Sequence, residues 1–142
     1  MMAEKFILLE AIAARIMAHC LASGEEVCGF LGALPGREAD RIYPIANIAP
    51  ERERDYLMAP EEQLAAFLAM EREGRELAAI YHSHPKSPPY PSPKDIELAF
   101  YPVCYLIISP DPPVMRGFYI HEGLVREVDL ILRKEGEDHL YL

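Results

Sequence analysis

The sequence predicts an α/β (α+β) domain in which a mixed β-sheet is flanked by helices. Two observations predict it. Segments with apolar residues at helical spacing alternate with short apolar runs of strand length, and turn-forming Gly, Pro, Ser and Asn residues separate them. The resulting order is helix, two strands, helix, strand, helix and then further strands, which suits helices packed on a sheet. A chain of 142 residues is a single domain, 1–142, by ordinary size rules, and it shows no internal repeat.

The first helix is predicted over residues 7–21, where Leu8, Ile12, Ile16 and Leu21 recur near helical spacing and Glu10 and Arg15 lie off the stripe. Ser23 and Gly24 stop it, glycine suiting the left-handed turn past a helix end. Residues 26–32 read as a buried strand with Glu26 at its start. Residues 34–37 read as a tight turn and 41–46 as a second strand pairing back. After a polar, irregular stretch at 47–55, Pro60 with Glu61 and Glu62 opens a second helix, since proline and acids suit a first turn. Leu64, Phe67, Leu68 and Glu71 follow at helical spacing, and Gly74 ends it. Residues 77–82 form a short apolar run, expected to be a central strand. The loop 85–91 is proline-rich, 92–100 is a third helix, and 103–109 is a strand rich in β-branched and aromatic residues. Residues 115–121 and 125–132 make a final hairpin. The charged last ten residues are expected to be loosely held.

Composition excludes several function classes. Half the residues are hydrophobic (51%) and 26% are charged, so the chain is globular rather than disordered. The formal net charge of -9 argues against a surface that tracks nucleic-acid phosphates or anionic lipid. The three cysteines, Cys20, Cys28 and Cys104, form neither a disulfide framework nor a CxxC metal pair and read as buried free thiols. The N-terminal apolar stretch is interrupted by Glu10, Arg15 and His19, unlike a signal peptide, and no apolar run reaches the roughly 18 residues a membrane span needs. The expectation is a cytoplasmic protein.

The chemistry concentrates between His82 and Asp95. Residues two apart on a strand share a face, so His82 and His84 at a strand end present two imidazoles side by side. Asp95 lies one turn into the following helix, where the intervening loop can fold it back as a third ligand. Two histidines and a carboxylate with one position left open for water is the layout of a catalytic zinc site. A water nucleophile also needs a base, for which Glu26 is the candidate. The chain has no H-E-x-x-H, which excludes the zincins, and no H-x-E with P-C-x-x-C, which leaves base deamination unsupported.

Glu26 well upstream, then His82-x-His84-Pro85, a proline-rich loop, and Pro91-Ser92-x-x-Asp95, resembles the signature of the JAMM (MPN-plus) zinc metalloproteases. The run Glu26-Val27-Cys28-Gly29 also resembles that family's first strand. The choice of Glu26 over Glu25 rests on this register. The resemblance implies an MPN/JAB1 domain similar to the cytidine deaminase-like fold. It implies one zinc ion per chain held by His82, His84 and Asp95. Glu26 is then the base that takes a proton from water and returns it to the leaving amine, and Ser92 stabilises the oxyanion. It further implies hydrolysis of an amide at the C-terminus of a ubiquitin-like protein or sulfur-carrier protein with a Gly-Gly tail. Strand addition is a common way to hold such a tail, and the edge at residues 47–57 is the expected part of that surface. The leaving group is either a free amino acid such as cysteine or a protein lysine. The short connection after Asp95 resembles a minimal prokaryotic member, and a homodimer is compatible with the sequence.

Each feature also has a plainer reading. Ser92, Pro93 and Asp95 make a good helix start without any metal: a serine cap, proline at the first position and an acid at the third. That reading leaves the two histidines and Glu26 unexplained. The prolines of 85–91 either stiffen the loop that joins the ligands or form P-x-x-P segments read by a partner domain. His19, His121 and His139 have no companions at ligand spacing and are expected to be incidental. The rival function is a non-catalytic MPN scaffold module that mediates protein assembly; such modules lose ligands, whereas this chain keeps them all.

Overall fold

The computed structural model describes residues 4–136. Its elements are β1 (Lys5–Leu9), α1 (Glu10–Leu21), β2 (Cys28–Ala33), β3 (Ala39–Ile45), α2 (Pro60–Glu73), β4 (Glu76–Ser83), α3 (Pro93–Glu97), β5 (Cys104–Pro110), β6 (Pro113–His121) and β7 (Leu124–Arg133). The strands follow one another around the sheet in the order β1-β3-β2-β4-β5-β6-β7, and β1 pairs in parallel with β7 to close it. Antiparallel pairs predominate, and the parallel pair β4–β5 is joined through α3, so the sheet is mixed as expected.

The central strands are covered on both faces, which is why they read as unbroken apolar runs. Leu31, Ala79, Tyr81, Leu106 and Ile108 face one side and pack with Ile12, Ile16 and Cys20 of α1. Phe30, Ile80, Tyr105 and Ile107 face the other and pack with Ala66 and Met70 of α2. Alternation along β4 therefore sends Tyr81 toward α1 and turns His82 to the opposite face.

Several sequence expectations change. The chain opens with a strand: residues 7–9, assigned above to the first helix, belong to β1, and α1 begins at Glu10 without a side-chain cap. Leu21, expected on the buried stripe, is 49% exposed. On α2 the inward residues are Ala66 and Met70, whereas Leu64 and Leu68 are exposed. The helix after the proline loop is a single short turn, Pro93–Glu97, rather than residues 92–100. Glu26 precedes β2 instead of starting it. The three cysteines are free and buried, as expected. His19 is not incidental to the fold, because its Nδ1 lies 2.7 Å from the Tyr81 hydroxyl. His139 and most of the charged tail lie outside the described residues. None of the described helices is long and apolar enough to cross a membrane.

Candidate metal centre

The antiparallel register of β2 and β4 assembles the site. Cys28 pairs with His82, and the Val27–Ser83 contacts continue that register one step further: Ser83 N–H donates to the Val27 carbonyl at 3.0 Å, and Val27 N–H to the Ser83 hydroxyl at 3.0 Å. Extended once more, it sets Glu26 beside His84. Opposed residues share a face, so Glu26, His82 and His84 turn to one side. Their ligand atoms lie within 4.8 Å of one another, and all three residues are buried.

Asp95 comes in from the far side of the proline loop. Ser92 caps α3 by accepting from Asp95 N–H at 3.0 Å, and Asp95 Oδ2 accepts from Ser92 N–H at 2.9 Å, a reciprocal capping box. The plain helix-start reading is therefore correct, and it serves the site: the box fixes the carboxylate against the histidines. Asp95 Oδ2 lies 3.2 Å from His82 Nε2 and 3.0 Å from His84 Nε2, and the two Nε2 atoms are 3.0 Å apart.

This triangle fits a metal ion. Ligands at the usual zinc bond lengths in a tetrahedron sit about 3.3 Å from one another. His84 Nδ1 donates to the Pro88 carbonyl at 2.8 Å, which fixes that tautomer and leaves Nε2 with a lone pair facing the centre. His82 Nδ1 is buried with no hydrogen-bond partner among the described residues, so its ring is oriented by the Nε2 side and by Tyr56, which stacks on it at 4.4 Å. Nitrogen and carboxylate oxygen atoms gathered this closely form a group that could hold a metal ion.

The ionisation pattern agrees. Burial opposes charge on Asp95, but the His82 and His84 imidazoles against it outweigh that and hold the carboxyl well below the usual range. Burial lowers His82. For His84 burial is outweighed by Asp95, the Pro88 carbonyl and Glu26, and the net shift is upward. Burial pushes Glu26 up to about 8, with His84 opposing and the Asp95 and Asp55 carboxylates adding to the rise.

Two further features flank the centre. An apolar cavity of about 260 Å³ adjoins Asp95 and is lined by Phe30, Tyr56, Met58, Ile80 and Phe100. The segment 46–59 folds back on itself through an Asn47–Met58 bridge and is tied across the site by ion pairs from Asp55 to Lys94 at 3.2 Å and Glu53 to Lys86 at 3.3 Å. Sequence reasoning missed Tyr56 and Asn47, both on or beside the irregular stretch, where no local pattern marks them.

A buried pair of strand-end histidines, a helix-held carboxylate and a second carboxylate beside them form a group of side chains that could hold a metal ion. The chain belongs to the prokaryotic homologs of the JAB domain, whose family model matches residues 9–121. This bears out the JAMM/MPN resemblance read from the motif. It is 45% identical over 96 residues to a probable TtuB-protein conjugate cleaving protease of Thermus thermophilus, covering 68% of this chain and 62% of that one. It is 42% identical over 88 residues to a desampylase of Haloferax volcanii, covering 61% and 63%. The matched stretches thus span a little over three fifths of those two relatives. A solution structure of a protein from Desulfitobacterium hafniense superposes with a TM-score of 0.82 at 35% identity, over 96% of this chain and 99% of the other.

Proposed function

We propose that this chain is a zinc-dependent peptidase or isopeptidase that hydrolyses the amide at the C-terminus of a ubiquitin-like or sulfur-carrier protein. The observation that carries the reading is the convergence of His82 Nε2, His84 Nε2 and Asp95 Oδ2 beside the buried Glu26. The similarity to a conjugate-cleaving protease supports the substrate class.

His82, His84 and Asp95 would hold the zinc. Bound there, it supplies Lewis acidity that polarises the scissile carbonyl and acidifies a water molecule. Glu26 takes the proton from the attacking water and returns it to the leaving nitrogen, giving a carboxylate and a free amine. A buried carboxyl raised toward neutral pH suits both halves of that transfer, and a nearby cation draws its pKa back down. Ser92 has one lone pair committed to Asp95 N–H, while its hydroxyl proton stays available to the developing oxyanion. The apolar cavity beside Asp95 and the edge at residues 47–57 offer an extended Gly-Gly tail a surface to lie along.

The test is metal analysis and cleavage. One zinc per chain is expected, lost in His82→Ala/His84→Ala. Ubiquitin-like proteins extended by one amino acid, or joined to a lysine, should be cut after the tail as read by mass spectrometry. Glu26→Gln should keep the zinc and stop the cleavage. A chain that binds no zinc when purified without chelators refutes the proposal, as does wild-type cleavage by Glu26→Gln.

A further inference from the structure

Glu26 presents a structural problem for a base. It stands in the coil ahead of β2, and among the described residues no hydrogen bond holds its carboxylate. What the neighbouring structure holds is its backbone, from which the side chain starts. Both backbone polar groups of Glu26 are anchored by one neighbouring segment: Glu26 N–H donates to the Arg52 carbonyl at 2.6 Å, and the Glu26 carbonyl accepts from Asn47 Nδ2 at 2.8 Å.

Asn47 does more than cap that carbonyl. The other hydrogen on Nδ2 goes to the Asp55 carbonyl at 2.9 Å, while Oδ1 accepts from Ala49 N–H at 3.0 Å and Leu57 N–H at 2.9 Å. A side-chain amide has two donors and two acceptor sites, and all four are used here. Two N–H groups face one end and two carbonyls the other, so only one orientation of the amide fits. Aspartate lacks the donors, and serine lacks the reach. The half-buried Asn47 is thus the joint between the Glu26 coil and the loop 49–57 that carries Tyr56 against His82.

We infer that Asn47 is a positioning residue for the proposed hydrolysis, fixing Glu26 for proton transfer through its backbone. The inference rests on the role given to Glu26 above. A displacement of about 1 Å in a reacting group can cost on the order of 100-fold in rate, so the amide contributes to turnover although it lies outside the reaction itself.

The test variant is Asn47→Asp, which keeps the shape and the acceptor end but turns a carboxylate oxygen toward the Glu26 and Asp55 carbonyls. With a cleavable conjugate, kcat should fall roughly 10- to 100-fold while KM stays within about threefold and zinc content remains one per chain. Independently of activity, hydrogen exchange at the Glu26 amide should speed up at least about tenfold. Asn47→Ser, which removes the reach without adding charge, should give the same pattern and replaces the aspartate if that variant does not fold. An unchanged kcat, unchanged Glu26 protection, or a raised KM at full kcat overturns the inference; the last would make Asn47 a determinant of substrate binding. A wild-type chain that cleaves while Asn47→Asp keeps full kcat sinks this inference alone. A wild-type chain without zinc sinks the proposed function itself.

Discussion

Gly29→Ala tests how the sheet holds the site in place. Gly29 sits directly opposite Tyr81 in the β2–β4 pair, and the tyrosine ring lies across the space that a side chain would fill. A Cβ at Gly29 would come within 2.5 Å of Tyr81 Cε2 and 2.6 Å of both Cζ and the hydroxyl. Carbon atoms prefer about 3.5–4.0 Å, so the ring must move by roughly 1 Å. It has little room, being fully buried with its hydroxyl held by His19 at 2.7 Å. Replacing glycine in an extended strand gains about 0.4–1 kcal/mol from the unfolded chain, against about 1–3 kcal/mol for overpacking. The clash wins, by roughly 1–2 kcal/mol. At about 2–4 °C per kcal/mol for a chain of this size, Tm should drop by roughly 2–8 °C in a calorimetric melt. Zinc affinity should weaken with it, because Tyr81 adjoins His82 and Gly29 follows closely on Glu26. Gly24→Ala is the control: nothing lies within 4 Å of its Cβ, so it should keep the unfolded-chain gain and be more stable than wild type by about 0.4–1 kcal/mol. Adding Tyr81→Leu to Gly29→Ala should cost less than the two single changes summed. A Gly29→Ala chain as stable as wild type, or a strictly additive double variant, refutes the packing argument.

Three other outcomes follow from the site. Ser92→Ala removes the cap to Asp95 N–H and should cost about 1 kcal/mol in a denaturant melt, and about 100-fold in kcat if its hydroxyl serves the oxyanion; Ser92→Thr should recover most of the stability. Zinc at a thousand times its dissociation constant should stabilise the wild-type fold by about 4 kcal/mol, an effect absent from His82→Ala/His84→Ala. In the zinc-free chain, Glu26 moves from an ordinary 4.5 to about 8 on folding, so between those values the folded state keeps a proton that the unfolded state has lost. Stability must then fall as pH rises across that window. The difference in Tm between Glu26→Gln and wild type should widen from pH 5 to pH 8, and a flat difference would contradict the burial of Glu26.

Much of this centre is written in local sequence. Alternation on β4 places His82 and His84 on one face, and the Ser92-Pro93-Lys94-Asp95 start carries its own capping box, so three ligand candidates follow from spacing. The failures share a cause. β1 runs into α1 with no Gly or Pro between Leu9 and Glu10, and Leu8, Ile12 and Ile16 fall at helical spacing across the join. Pairing with β7, at the far end of the chain, and with β3 makes residues 5–9 extended. On α2 Leu64 and Leu68 face outward while Ala66 and Met70 face in and Phe67 packs on Phe30, because the face turned to the sheet is set by where the helix docks and not by the leucine spacing.

Glu26 shows the same limit at the site. Nothing local separates it from Glu25; the choice is made by strand pairing, since the Cys28–His82 register brings Glu26, and not its neighbour, beside His84. Glu25 instead turns outward to an exposed ion pair with Arg52 at 2.9 Å. The two acids are thus sorted by contacts more than fifty residues away in the chain. A one-residue slip of β2 against β4 would turn Glu26 to the other face, so the register itself selects which acid stands beside His84. The register is pinned on the core side by Tyr81 lying over Gly29 and on the site side by the Val27–Ser83 bonds. Stability and proposed chemistry therefore depend on the same strand pair, and an enlarged residue at position 29 should disturb both.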